Sequence, residues 1–410
     1  MKTSLPESLL QTALGQEADE ILRTCVHCGF CNATCPTYQL TGDELDGPRG
    51  RIYLIKQALE GQPASRRTRI HLDRCLTCRA CETTCPSGVD YHHLLDTGRE
   101  RIEQRVPRPV LQRLLRWSLR RVMTSPRAFA MLYRTGRAIR PALPQVLRRS
   151  LALRPQHAAA HPDRQHPRRM LLLEGCVQAA IAPQINAATR RVLDALGIGT
   201  VRTAGSGCCG ALSHHLGATA EARGYMRRNI DAWWPAIEAG AEAIVITASG
   251  CAPQVKEYGR LLAHDTRYAA RAARIGELAR DLSEVLHAER SRLVLRPPAG
   301  ARRIAFHSPC SLQHGQRLDG VVEELLVQAG YELVPVADAH LCCGSAGTYS
   351  ILQPALATEL RNRKLQALEA AGPAGIATAN IGCLAHLAGH ARTPVRHWIE
   401  LLAPLIPEND

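Results

Sequence analysis

The sequence predicts a multidomain chain of mixed α+β and α/β class: a small, mainly α-helical cysteine-rich domain, then two duplicated parallel α/β domains. Three observations carry this. All 16 cysteines of the 410 residues fall into two patterns, each present twice. The first, Cys25-x2-Cys28-x2-Cys31-x3-Cys35-Pro36, returns as Cys75-x2-Cys78-x2-Cys81-x3-Cys85-Pro86. The second, a lone Cys176, a Cys208-Cys209-Gly210 triplet and a lone Cys251, returns as Cys310, Cys342-Cys343-Gly344 and Cys383, at offsets of 134, 134 and 132 residues. Around the second pattern, apolar strand runs alternate with helical ones, which argues for a parallel sheet.

Residues 1–100 hold the first pattern. One helix is expected over Pro6–Arg23 and another over Arg49–Leu59. Two or three residues between thiolates let a tight turn wrap an iron–sulfur cubane, each sulfur reaching a different iron. The proline after the fourth cysteine turns the chain away, so that cysteine serves the cluster held by the other run, as in two-cluster ferredoxins. Cys25, Cys28, Cys31 and Cys85 are therefore expected to hold one [4Fe–4S] cluster, and Cys75, Cys78, Cys81 and Cys35 the second. Zinc is the competing reading, but zinc sites pair two Cys-x2-Cys hooks across a longer gap. Disulfide frameworks spread their partners along the chain instead of crowding them.

Residues 101–169 form a connector. Between Arg101 and Arg154 stand 14 arginines, no lysine and a single acid, Glu103, which accounts for nearly all of the net charge of +14. Leu111, Leu114, Leu115, Trp117, Leu119 and Val122 have helical spacing, and Pro155–Arg169 reads as a linker. A basic amphipathic helix suits an anionic membrane surface or an acidic partner subunit. No nucleic-acid-binding fold accompanies it, so nucleic acid is not expected as a partner.

Residues 170–300 and 301–410 are the two repeats. In each, a strand (Met170–Leu173, Ile304–Phe306) leads to the lone cysteine, and a helix follows (Ile185–Leu196, Val321–Gln328). A second strand is expected to end in Cys-Cys-Gly. A third (Ala243–Thr247, Gly375–Ala379) ends before the last cysteine. Ligands of such sheets gather beyond the carboxyl ends of the strands, so Cys176, Cys208, Cys209 and Cys251 should converge, as should Cys310, Cys342, Cys343 and Cys383. Four thiolates fit a further iron–sulfur cluster, a zinc ion or a redox-active dithiol; adjacent cysteines chelate one metal only with strain. His214, His215, His307, His314 and His386 are read as hydrogen-bonding or surface residues. Gly205-Ser-Gly-Cys-Cys-Gly210 imitates a dinucleotide fingerprint, but the second copy lacks its first two glycines. No flavin or NAD motif is present, so a partner is needed for two-electron chemistry on an organic substrate.

Met1–Leu22 has no apolar core of a secretory leader, and no run of about 18 apolar residues exists to span a membrane. The expected location is the cytoplasmic side, in a reducing compartment, with peripheral contact to the inner membrane.

With these residues in hand, the chain resembles the iron–sulfur subunits of bacterial glycolate oxidases (glycolate dehydrogenases). The resemblance runs almost end to end and is densest in Cys25-Val-His-Cys-Gly-Phe-Cys31, Thr41–Lys56, Asn229–Ile244, His340–Tyr349 and Val395–Glu400. The repeats are similar to the "CCG" domains of heterodisulfide reductases and lactate-utilisation proteins. The resemblance implies an electron-transfer role beside two FAD-type subunits that oxidise glycolate, with D-lactate as a second candidate substrate, to the 2-oxo acid, with electrons passing toward a membrane quinone. The alternative it offers is redox chemistry at the chain's own CCG cysteines, as in heterodisulfide reductases. In CCG domains that hold unusual clusters the last cysteine belongs to a Cys-x-x-Cys; here Cys251-Ala-Pro-Gln254 and Cys383-Leu-Ala-His386 each lack the fifth thiolate.

Overall fold

A computed structural model of the chain describes residues 1–156, 166–298, 300 and 302–407. Residues 157–165 of the expected linker lie outside them. The expected first helix is two, Glu7–Leu10 and Ala13–Thr24, because the Thr12 hydroxyl accepts the Gly15 N–H and starts a new helix there. The second spans Pro48–Leu59, with proline at its first turn, where no N–H is needed. It packs beside Tyr91–Arg105, and together they bury Ile52, Ile55, Leu59, Leu94, Leu95 and Ile102 beneath the cysteine loops. Each run of three cysteines ends in a short helix, Phe30–Ala33 or Ala80–Thr84, entered through a left-handed residue, Gly29 (φ 87°) or Arg79 (φ 63°).

The two repeats form two four-stranded, all-parallel sheets. β1 (Arg168–Leu173), β2 (Ile198–Val201), β3 (Ile244–Ile246) and β4 (Ala279–Asp281) lie in the order 2-1-3-4. β5 (Arg303–His307), β6 (Glu332–Leu333), β7 (Gly375–Thr378) and β8 (Val395–His397) lie in the order 6-5-7-8. Two differences from expectation stand out. β2 and β6 stop well short of Cys-Cys-Gly, since Arg202–Gly207 has no apolar alternation and Pro335 cannot donate to a ladder. A fourth strand joins each sheet after the last cysteine. Ala-Arg-Asp and Val-Arg-His are too short and too polar to read as strands, yet each pairs in register with the strand before it.

The repeats share one apolar core, with Leu172, Val245 and Leu286 of the first against Phe306, Leu325 and Trp398 of the second. Beyond β3 and β7 the two chains meet directly. Ser249 N–H donates to the Ala379 carbonyl (3.1 Å) and His397 Nε2 to the Thr247 carbonyl (3.0 Å). The first repeat is tied to the cysteine-run domain by charge: His92 lies 2.9 Å from Glu82 and 3.1 Å from Glu257, and Arg79 reaches Glu257 at 3.1 Å.

The connector contains the helices Val110–Met123 and Pro126–Ala138. Its orientation is inverted relative to an ordinary surface helix. Arg108 and Arg116 turn inward onto Asp73 (2.6 and 3.0 Å). The apolar stripe faces out: Val110 is 78% exposed, Leu111 77%, Leu114 57% and Trp117 48%, and Met131 and Leu132 of the next helix continue it. No helix among the described residues is long and apolar enough to cross a membrane.

Candidate metal centres

Cys25, Cys28, Cys31 and Cys85 line one pocket, together with Arg49, Ile52 and Tyr91. Cys35, Cys75 and Cys78 line a second, with Thr37, Arg51 and Leu76. Cys81 borders both. The thiols that act on Cys81 electrostatically are Cys78, Cys75 and Cys35, which places its sulfur with the second group. Cys31 is acted on by Cys25, Cys85 and Cys28. Each group thus draws three thiols from one run and one from the other.

The donor sets suit iron–sulfur clusters. Burial, then the neighbouring Cys25 and Cys85, pushes the Cys31 thiol up to about 11, and burial holds Cys81 well above the thiol range. Such crowded thiols give up their protons together only to a cationic centre. Donors already point at the sulfurs of the second group. Tyr91 Oη donates to Cys75 Sγ (3.8 Å), Thr77 N–H to the same sulfur (3.4 Å) and Arg51 Nη1 to Cys35 Sγ (4.0 Å). Arg51 is 1% exposed, fixed by the His71 carbonyl (2.8 Å) and Thr37 Oγ1 (3.1 Å). Burial works against its charge, yet Cys75, Tyr91, Cys35 and Asp46 hold its pKa above the ordinary arginine value.

The two groups differ in setting. Cys28 is exposed, as are Val26 (68%) and Phe30 (63%) two residues to either side of it, and Tyr53, whose ring centre lies 6.3 Å from that of the adjacent His27. The second group faces inward, onto the second repeat. Cys310 lies within hydrogen-bonding reach of Cys78, and both pack with Leu76, Cys342 and Tyr349.

In both repeats the thiols converge. Cys176 contacts Cys208, Cys208 contacts Cys209, and Cys209 contacts Cys251. The second repeat gives the same row, Cys310, Cys342, Cys343, Cys383. The glycine of each triplet has a reason. Gly210 (φ 92°) and Gly344 (φ 86°) are left-handed, their N–H groups donate to Cys208 and Cys342 Sγ at 3.4 Å, and a Cβ on Gly344 would lie 2.7 Å from the Ala357 carbonyl.

Of the five histidines beside the cysteines, four have partners as expected. His214 and His215 face Asp96, His314 lies 2.9 Å from Thr83 Oγ1, and His386 lies 3.3 Å from the Ala357 carbonyl. His307 does not follow them. It is 1% exposed, both ring nitrogens lack a hydrogen-bond partner, and it groups with Cys343 and Cys383. Burial, then Lys364, pushes its pKa down to about 3, so the ring is neutral. His307 and Lys364 were missed in the sequence. One signal was available for the first: the offset that superposes Cys176 on Cys310 puts Leu173 opposite His307.

Comparison with known proteins agrees with this geometry. Residues 21–89 match the 4Fe-4S dicluster domain family, and residues 170–256 and 304–388 each match the cysteine-rich domain family. The chain is 55% identical to the glycolate oxidase iron-sulfur subunit of Escherichia coli (strain K12), with 98% of each chain covered. It is 30% identical to the probable glycolate oxidase iron-sulfur subunit of Bacillus subtilis (strain 168), covering 94% of this chain and 92% of that one. Lactate utilization protein A of Anoxybacillus flavithermus is 28% identical over 55% of the chain. Two interleaved four-thiol groups followed by a duplicated cysteine-rich domain, matched end to end at this identity, mean that the chain belongs to the family of glycolate oxidase iron–sulfur subunits.

Proposed function

We propose that this chain is the electron-transfer subunit of a glycolate-oxidising complex. The observation that carries it is the placement of the two thiol groups. They share the wall formed by Cys81, one opens to solvent at Cys28, and the other abuts Cys310 of the second repeat. Cys25, Cys28, Cys31 and Cys85 would hold one [4Fe–4S] cluster, and Cys35, Cys75, Cys78 and Cys81 the other. Bound there, the clusters supply one-electron transfer. The chain's own residues do the rest. Exposed Val26, Phe30 and Tyr53 give an apolar docking face for a flavin-bearing subunit, where Cys28 brings the first group to the surface. Tyr91, Thr77 and Arg51 fix the sulfurs of the second group and keep water from them. Disulfide chemistry at the repeats is disfavoured, because Cys208, Cys209, Cys342 and Cys343 are buried.

The outward apolar stripe of the connector, in a stretch from Arg101 to Arg154 whose one acid is Glu103, fits a surface of anionic lipid, into which the stripe inserts while the guanidinium groups meet phosphates. A quinone in that membrane is the natural electron acceptor.

Iron and sulfide analysis after anaerobic purification tests the clusters; fewer than about eight irons per chain, from two four-iron clusters, would refute them. Glycolate added to the chain assembled with its flavin subunits should reduce both EPR-active centres. Reduction by D-lactate alone would shift the substrate, and no reduction by either would end the proposal.

A further inference from the structure

The two repeats have the same thiol row but different surroundings. In the first, the residue three before the lone cysteine is Leu173, buried in an apolar core. In the second it is His307, at the carboxyl end of β5 and in register with Thr378 of β7. A buried polar group without a partner costs free energy, and here both imidazole nitrogens and the adjacent Thr378 Oγ1 are unpaired. The nearest chemistry offered to the ring is thiol: ligand atoms of His307, Cys343 and Cys383 all lie within 4.8 Å of one another, and all three residues are buried. Elsewhere, acids and histidines crowd together around His71, around His92 and His93, and around His214 and His215. There the rings have carboxylates beside them, at 2.7–2.9 Å for His71, His92 and His93 and at 3.9 Å for His214 and His215. The His307 group holds no carboxylate to pair with.

Charge points the same way. Lys364 is 4% exposed and has no carboxylate partner; its ammonium donates only to the Asp338 (2.7 Å) and Ala339 (3.3 Å) carbonyls. Burial lowers its pKa, against which Cys310, Cys343, Cys342 and Asp338 favour the protonated form. The matching helix of the first repeat, Thr219–Glu238, buries Asn229 and no charged side chain. A buried amine thus stands at the second thiol row, whereas the basic group acting on the first row is the exposed Arg228.

We propose that the second repeat, and not the first, holds a single zinc ion, with His307 Nδ1 or Nε2 and the Cys343 and Cys383 thiolates as ligands and its fourth position facing Cys342. Neighbouring ligands on a tetrahedral zinc are about 3.5–3.8 Å apart, given bonds of about 2.0–2.1 Å to nitrogen and 2.3 Å to sulfur. The observed spacing needs only a small contraction to reach this, whereas the thiolates of a cubane sit on different irons and stand further apart. Two thiolates neutralise a divalent ion; the Cys342 thiolate would make the centre singly negative, and Lys364 balances it. Asn380 Nδ2, 3.5 Å from Cys383 Sγ, would orient that ligand. A zinc ion carries no electrons, so in this reading the second repeat is a fixed, charged wall behind Cys78 and not a further redox station.

The inference rests on the ligand sets proposed above, and the two fail separately. The full chain, purified without air, is assayed for zinc and iron by mass spectrometry. About one zinc per chain beside about eight irons is expected. His307→Leu, which installs the first repeat's residue, should lower zinc at least fivefold and leave iron and both EPR signals unchanged. Should that variant aggregate, zinc-edge X-ray absorption on the unaltered chain decides, since it must show one nitrogen beside sulfur ligands. Iron well above eight with no zinc would put a third cluster here, and zinc held in an all-sulfur shell would exclude His307. Either result overturns the proposal, while a deficit of iron alone would overturn only the cluster assignment.

Discussion

Replacing Arg51 with glutamine should lower the reduction potential of the centre assigned to Cys35, Cys75, Cys78 and Cys81, and leave its neighbour nearly untouched. The guanidinium is fully buried, with Nη1 4.0 Å from Cys35 Sγ. Its positive charge favours whichever state carries the extra electron. Taking about 6 Å from charge to cluster and an effective dielectric constant of about 20, the interaction is worth about 3 kcal/mol. One electron at about 60 mV per 1.4 kcal/mol turns this into a shift on the order of 100 mV. Asp46, 3.9 Å from Nη2, cancels part of it, so a downward shift of about 50 mV is expected. Glutamine retains a donor toward Thr37, and Asp46 keeps His71 and Arg74 as partners. The assay is an EPR-monitored redox titration, with iron content as the control for assembly. An upward shift, or an equal shift in both centres, would refute the reasoning.

Four further expectations follow from named contacts. Glu323 lies in the helix Val321–Gln328 with an unpartnered Oε2, and burial pushes its carboxyl up to about 7. An acid with a raised folded pKa costs nothing below its unfolded pKa and destabilises progressively as pH rises to the folded one. Glu323→Gln should therefore stabilise by on the order of 2 kcal/mol at pH 8, with the gain falling by more than half at pH 5.5, by denaturant titration at both. Gly344→Ala forces a Cβ against the Ala357 carbonyl at positive φ. A loss of about 2–3 kcal/mol in thermal unfolding is expected, with none if the loop simply shifts. Trp117→Asp with Leu111→Asp should reduce flotation with phosphatidylglycerol vesicles at least tenfold; undiminished binding would remove the connector from the membrane. Tyr53→Glu, beside His27, should weaken capture by the flavin-bearing subunit tenfold while both potentials stay put, read by surface plasmon resonance and titration.

Much of the architecture was legible because the sequence repeats itself. Cys-Pro placement already implied that each thiol group takes its fourth member from the other run, and the strands leading to Cys176, Cys251, Cys310 and Cys383 were apolar enough to read. The helix Val321–Gln328 has the bounds its pattern predicts. What escaped were features set by distant contacts. β4 and β8 have no strand-like composition and exist because β3 and β7 offer them an open edge. The apposition of Cys310 with Cys78 joins separate domains, and no local periodicity encodes it. By composition His307 is one histidine among five beside the cysteines. Its empty hydrogen-bond inventory became visible only once the neighbours were in place.

The seam at Ser249–Ala379 and Thr247–His397 fuses two copies into one body with a common core. Had the same surfaces met as separate identical subunits, symmetry would have forced every change at one site to appear at the other. A tandem duplication lifts that restraint. Leu173 and His307, or Ile230 and Lys364, are free to differ, so one copy can serve as scaffold while the other specialises. The single chain thereby holds two unlike cysteine sites within one fused core.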